Sequence, residues 1–163
     1  MRLEPMIHTF QSLTKWFAIL LLISLLFFIL HYVGVPLPHQ SLWNPELKYD
    51  FDNYYFFVCG TEELLPRFRS IFGEPGHLTQ GLILLLVANL FNLRDKYVLI
   101  LFIAQIATFS LAGYISLFVA YTVLSLLNGK SMKKLLMPII LLGVIVYFCI
   151  HMSEYSFFYE IIG

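Results

Sequence analysis

The stretch WFAILLLISLLFFILHYVGV, Trp16–Val35, decides how the chain is read. Only Ser24 and His31 interrupt its apolar run. At 1.5 Å per residue a helix of this length covers about 30 Å, one hydrocarbon thickness. Trp16 and Tyr32 stand near its two ends, where amphipathic rings favour a membrane interface. Pro36 and Pro38 follow and are expected to stop the helix. The lead-in, residues 1–15, carries Arg2, Glu4 and Lys15. No small-residue cleavage site follows the run, so it is expected to be a retained span rather than a signal peptide.

The bulk composition agrees with that reading. Hydrophobic residues make up 60% of the 163 residues and charged ones 12%, with mean hydropathy +0.81. A water-soluble domain of this size carries roughly a quarter charged residues. The apolar residues are blocked rather than periodic, which points to a multi-pass membrane protein. A formal net charge of +0 gives no bulk attraction to nucleic acid. No nucleotide loop, zinc signature or glycine-rich phosphate cradle occurs, so neither a cofactor nor a metal is implied. Cys59 and Cys149 lack metal spacing and are read as free thiols.

Outward from the first span, 36–74 is the one substantial polar segment and is expected to be an outer loop. It holds Glu46, Asp50, Asp52, Glu62 and Glu63 against Lys48, Arg67 and Arg69. Its aromatic run, Tyr49 to Phe57, reads as a surface-hugging loop; an interfacial belt and a sugar-facing surface compete as explanations. Pro75 is placed to open a second span, 75–93, with Glu74 as its cap. Thr79, Gln80 and Gly81 near its start are expected to face protein or a wet cavity rather than lipid. Tyr97–Leu127 is too long for one upright helix, and Thr108–Tyr114 is where it would break. A hairpin of short spans, 97–110 and 113–128, places Arg94 and Lys96 on the same side as Lys130, Lys133 and Lys134. A single tilted helix is the alternative. A last span is expected at 135–151. The resulting fold class is all-α, one membrane domain over 1–163 with about five spans. Its N-terminus is cytoplasmic, because Lys and Arg collect on that side in short loops.

Under this topology Arg67 and Arg69 are outside, against the usual distribution of basic residues. Arginine grips phosphate or carboxylate bidentately, and the start of the second helix adds partial positive charge. Arg67, Arg69 and that helix end together suit a diphosphate clamp at the outer membrane–water boundary. Glu74 suits a base that activates a hydroxyl, and His77, one turn on, suits proton work near neutral pH. Gln80 joins the polar lining. The competing reading pairs the arginines with Glu62, Glu63 or Glu74 to order the loop, with Glu74 merely capping.

The run RFRSIFGEPGHL (Arg67–Leu78), followed by a span and then TFSLAGY (Thr108–Tyr114), resembles the O-antigen polymerase family, the Wzy-type polysaccharide polymerases related to the O-antigen ligases. Ligases more often show Asn-Pro-Asn at the first motif. In the second, Leu111 stands where many members carry arginine. The resemblance covers most of 36–150. It implies a bacterial inner-membrane, metal-independent glycosyltransferase with loop 36–74 in the periplasm. Such an enzyme transfers a growing glycan from undecaprenyl diphosphate onto a new lipid-linked repeat unit, toward O-antigen or capsular polysaccharide. It further implies Arg67 on the diphosphate leaving group, Glu74 and His77 on the acceptor side, and chain-length regulator or flippase proteins as partners. Family members are longer, so the chain resembles a partial-length member. An O-antigen ligase acting on lipid A–core and a non-catalytic truncated membrane protein are the alternatives.

Overall fold

All but the last three residues of the N-terminal apolar run lie inside a longer helix, α1 (Glu4–Tyr32, 29 residues). The computed structural model describes residues 4–44, 49–60, 67–127 and 143. The chain divides into two units, Met1–Gly113 and Tyr114–Gly163. Helix α1 starts ahead of the apolar run because Pro5 falls in its first turn, where no amide donor is needed. It ends before Pro36 is reached. Gly34 takes φ +90, its N–H donates to the His31 carbonyl at 2.9 Å, and the Val35 N–H reaches back to the Leu30 carbonyl at 3.0 Å. That pair of bonds around a left-handed glycine is a Schellman ending, which needs no proline.

Segment 36–74 contains a sheet. Strands β1 (Gln40–Asn44), β2 (Tyr49–Asn53) and β3 (Val58–Gly60) form an antiparallel meander in the order β1-β2-β3. Tyr49, Phe51 and Asn53 alternate with Asp50 and Asp52, the period-2 pattern that suits a strand. A tight turn joins β2 to β3: Tyr55 is left-handed at φ 68, and the Asn53 side chain accepts from its N–H at 2.8 Å. This turn docks on α1. The Ser24 hydroxyl donates to the Phe56 carbonyl at 2.6 Å, Phe27 stacks on Phe56 at 4.5 Å, and Phe28 meets Phe57 edge-on at 5.7 Å.

Helices α2 (Pro75–Ala88, 14 residues) and α3 (Lys96–Ala107, 12 residues) pack on each other, and α3 lies along α1. Leu21, Leu78, Leu82, Leu86 and Leu101 are fully enclosed among them. Helix α2 stops at Ala88 because the Asn89 amide folds back to the Leu85 carbonyl (2.8 Å) and to the Thr14 hydroxyl of α1 (2.7 Å). Leu90 and Phe91 then both turn left-handed, at φ 53 and 51. Asp95 opens α3 by accepting from the Tyr97 N–H at 2.8 Å. Thr108 closes it, its hydroxyl donating to the Gln105 carbonyl at 2.8 Å. Helix α4 (Leu111–Leu127, 17 residues) crosses into the second unit.

An all-α bundle of about five spans is therefore not what the described residues form. Among the described residues one helical stretch, His8–Tyr32, is long and apolar enough to cross a membrane. The segments expected to span at 75–93, 97–110 and 113–128 are α2, α3 and α4, with lengths near 21, 18 and 26 Å at 1.5 Å per residue, all short of an upright crossing. The side-chain stops at Asn89 and Thr108 shorten the first two. The expected span at 135–151 lies outside the described residues. The segment read as a surface-hugging outer loop, 36–74, carries the three strands.

Candidate functional site

The arginine-rich segment is stitched into the first unit at three points. Phe68 donates its N–H to the Ala107 carbonyl at the end of α3 (3.0 Å), and Val58 of β3 donates to the Ser70 carbonyl (2.8 Å). Ser70 is left-handed at φ 51, and the Phe72 N–H closes the turn on the Arg69 carbonyl at 3.0 Å. Phe68 is fully buried and meets Phe28 of α1 edge-on at 5.4 Å. Phe72 meets Phe17 at 6.4 Å. Those two α1 residues are about 16 Å apart along the helix axis. The segment thus runs down the flank of α1 instead of sitting off its end.

This course separates the two arginines. Arg67 is exposed, next in sequence to Phe68, whose partner Phe28 lies about 6 Å along the axis from Tyr32, the last residue of α1. Arg69 is buried, 2% exposed, and its Nη1 donates to the Gly73 carbonyl at 3.1 Å. Its guanidinium holds the loop on which Glu74 is mounted. Asp52 and Cys59 pair across β2 and β3. Burial pushes the Cys59 thiol up, with Arg69 pulling it down and Asp52 pushing it up. Tyr54 is also raised, by burial first and then by Asp52 and Cys59. Cys59 is a free, buried thiol; Cys149 lies outside the described residues.

The raised thiol has a measurable consequence. Folding favours its neutral form, so its contribution to stability is complete below the ordinary value of 9.0 and falls as pH rises past that point. Maleimide labelling of folded protein at pH 7.5 is expected to be slower at Cys59 than at an exposed cysteine. Asp52→Asn is expected to speed it, because the carboxylate no longer opposes the thiolate.

Glu74 sits at the N-cap of α2 with extended backbone (φ −129, ψ 142), yet its side chain makes no capping hydrogen bond. Pro75 follows at the first helical position, where a missing N–H costs nothing. Glu74 therefore gives the first-turn amides of α2 no side-chain cap, and the residue stays half-exposed. His77 and Gln80 are both exposed. At a spacing of three residues they share one face of α2, their Cβ atoms about 5–6 Å apart. Among the described residues no group of three or more His, Cys, Asp or Glu is placed to hold a metal.

A second polar group lies where sequence reasoning placed no site. Gln105 of α3 is fully buried and Thr79 of α2 nearly so, and the Gln105 amide atoms and the Thr79 hydroxyl have no hydrogen-bond partner among the described residues. Both flank Gly113. A Cβ built there would lie 2.8 Å from Thr79 Oγ1 and 2.9 Å from Gln105 Nε2. The signal for Gln105 was its position as the lone polar residue inside YVLILFIAQIA. Gly113→Ala is expected to lower stability by about 1–3 kcal/mol through overpacking, read as a lower melting temperature of the purified protein.

No protein-family model, no curated protein and no solved structure matches this chain.

Proposed function

We propose that the chain works in membrane-bound glycan assembly, polymerising undecaprenyl-diphosphate-linked repeat units at the outer face of a bacterial inner membrane. The observation that carries this reading is the start of α2. Glu74 occupies the N-cap without using its carboxylate there, and Arg67 and His77, on either side of it in sequence, are exposed. An uncapped helix start attracts anions through its open amides and dipole. Arginine adds a bidentate grip.

In the reaction, an acceptor hydroxyl attacks the anomeric carbon of the donor sugar and the bond from that carbon to the diphosphate oxygen breaks. The diphosphate leaves with the electron pair, its charge met by Arg67 and the α2 amides. Glu74 takes the hydroxyl proton. His77 and Gln80, on one exposed face, orient the acceptor. Arg69 acts as a positioning residue through Gly73. With α1 across the bilayer and its N-terminus cytoplasmic, Arg67 lies near the outer boundary. Arg69 is then enclosed by protein, as a charge at membrane depth requires.

Deleting the coding sequence in its host tests the assignment. Surface glycan reduced to a single repeat unit is the expected result. Loss of all glycan from lipid A–core instead indicates a ligase, and an unchanged length distribution removes the reading.

A further inference from the structure

The opposite end of α1 holds a feature that plays no part in that chemistry. A cavity of about 910 Å³ opens between the first turns of α1, the α2–α3 turn and the start of α3. Gln11, Lys15 and Asn92 give it polar walls, while Phe10, Leu90 and Val98 give it apolar ones. Its α2–α3 wall is strained. Leu90 and Phe91 are both left-handed, at a cost of about 1–3 kcal/mol each for bulky residues, and Asn89 pins that geometry to Thr14. One basic and one acidic side chain, Lys15 and Asp95, line the cavity. The Asp95 carboxylate is engaged with the Tyr97 N–H, and Arg94 and Lys96, both exposed, flank it in sequence, so Lys15 is the basic side chain left to meet a ligand within the lining.

We propose that this cavity binds the phosphate-diester headgroup of an anionic membrane phospholipid. The mixed walls match an amphipathic ligand: amides and Lys15 toward the phosphate and glycerol, Phe10 and Val98 toward the upper acyl chain. Its level along α1 fits as well. The cavity faces residues 8–15, just before the apolar run begins at Trp16. When α1 crosses a bilayer this is headgroup depth, on the cytoplasmic side where anionic lipid and basic residues meet. The proposal rests on α1 being a span; it does not depend on the glycan reaction.

Trp16, exposed next to Lys15, is a built-in reporter. The full chain carrying Trp43→Phe, which leaves Trp16 as the sole tryptophan, is reconstituted into phosphatidylcholine vesicles doped with brominated phosphatidylglycerol or brominated phosphatidylcholine. Stronger quenching by the brominated phosphatidylglycerol is expected. Lys15→Gln is expected to weaken that preference about fivefold, while Lys15→Arg keeps it. Millimolar inorganic phosphate is expected to leave it in place; loss of the preference on adding phosphate would mean a free-phosphate site and overturn the lipid assignment. Equal quenching by the two lipids overturns the site but leaves the span standing. Quenching by neither shows that α1 is not inserted, and both fall.

Discussion

Arg67→Ala is expected to reduce polymerisation of lipid-linked repeat units by roughly 10²-fold, the usual effect of removing one preorganised donor from a developing anion. The loss belongs in kcat, because in the proposed reaction the guanidinium meets charge that grows as the diphosphate departs. Arg67→Lys keeps the charge but not the two-pronged geometry, so partial recovery is expected. The position favours a clean experiment, since Arg67 is exposed and its replacement opens no cavity. Gel analysis of glycan length in a complementation strain, with membrane content of each variant measured in parallel, checks it. Unchanged length with Arg67→Ala would remove Arg67 from the chemistry.

Phe68→Ala is expected to be the most damaging substitution for the fold, at about 3–5 kcal/mol. The ring is wholly buried, edge-on to Phe28, and its backbone amide ties the segment to the end of α3. The lost energy combines the ring's burial with its packing contacts. Truncation leaves a void that neighbours only partly refill. The residue also separates the two arginines, so the loop that carries Glu74 is expected to loosen with it. Thermal unfolding in detergent should show the lower midpoint, and Phe68→Leu should restore most of it.

The apolar helix at the N-terminus was legible from Trp16–Val35 alone, because an apolar run of that length far exceeds a buried strand and lacks an internal Pro to stop a helix. The start of α2 was legible from Glu74-Pro75. The chain break at Thr108 was legible too, from the length of the run around it. Helix ends inside apolar runs were not. Asn89 stops α2 by bonding to Thr14, 75 residues away in sequence, and no local pattern announces a partner at that distance. The sheet was hidden by its own aromatics. In YDFDNYYFFVCG the alternation is plain over Tyr49–Asn53, but the run of rings after it looks like an interfacial belt. Three of those rings instead fasten a tight turn to α1 and to one another, with Tyr54 stacked on Phe57 at 4.6 Å. The sequence made Arg67 and Arg69 look equivalent. The descent of their loop along α1 is a tertiary fact, and it leaves one guanidinium exposed while enclosing the other.

The most direct measurement places a single cysteine at position 67, as Arg67→Cys with Cys59→Ala and Cys149→Ala. A membrane-impermeant maleimide is added to intact cells and again after lysis. Labelling in intact cells, with slower labelling of purified protein in the presence of undecaprenyl diphosphate, is the predicted result. Labelling only after the cytoplasm is opened, or a rate indifferent to the lipid diphosphate, would contradict the account.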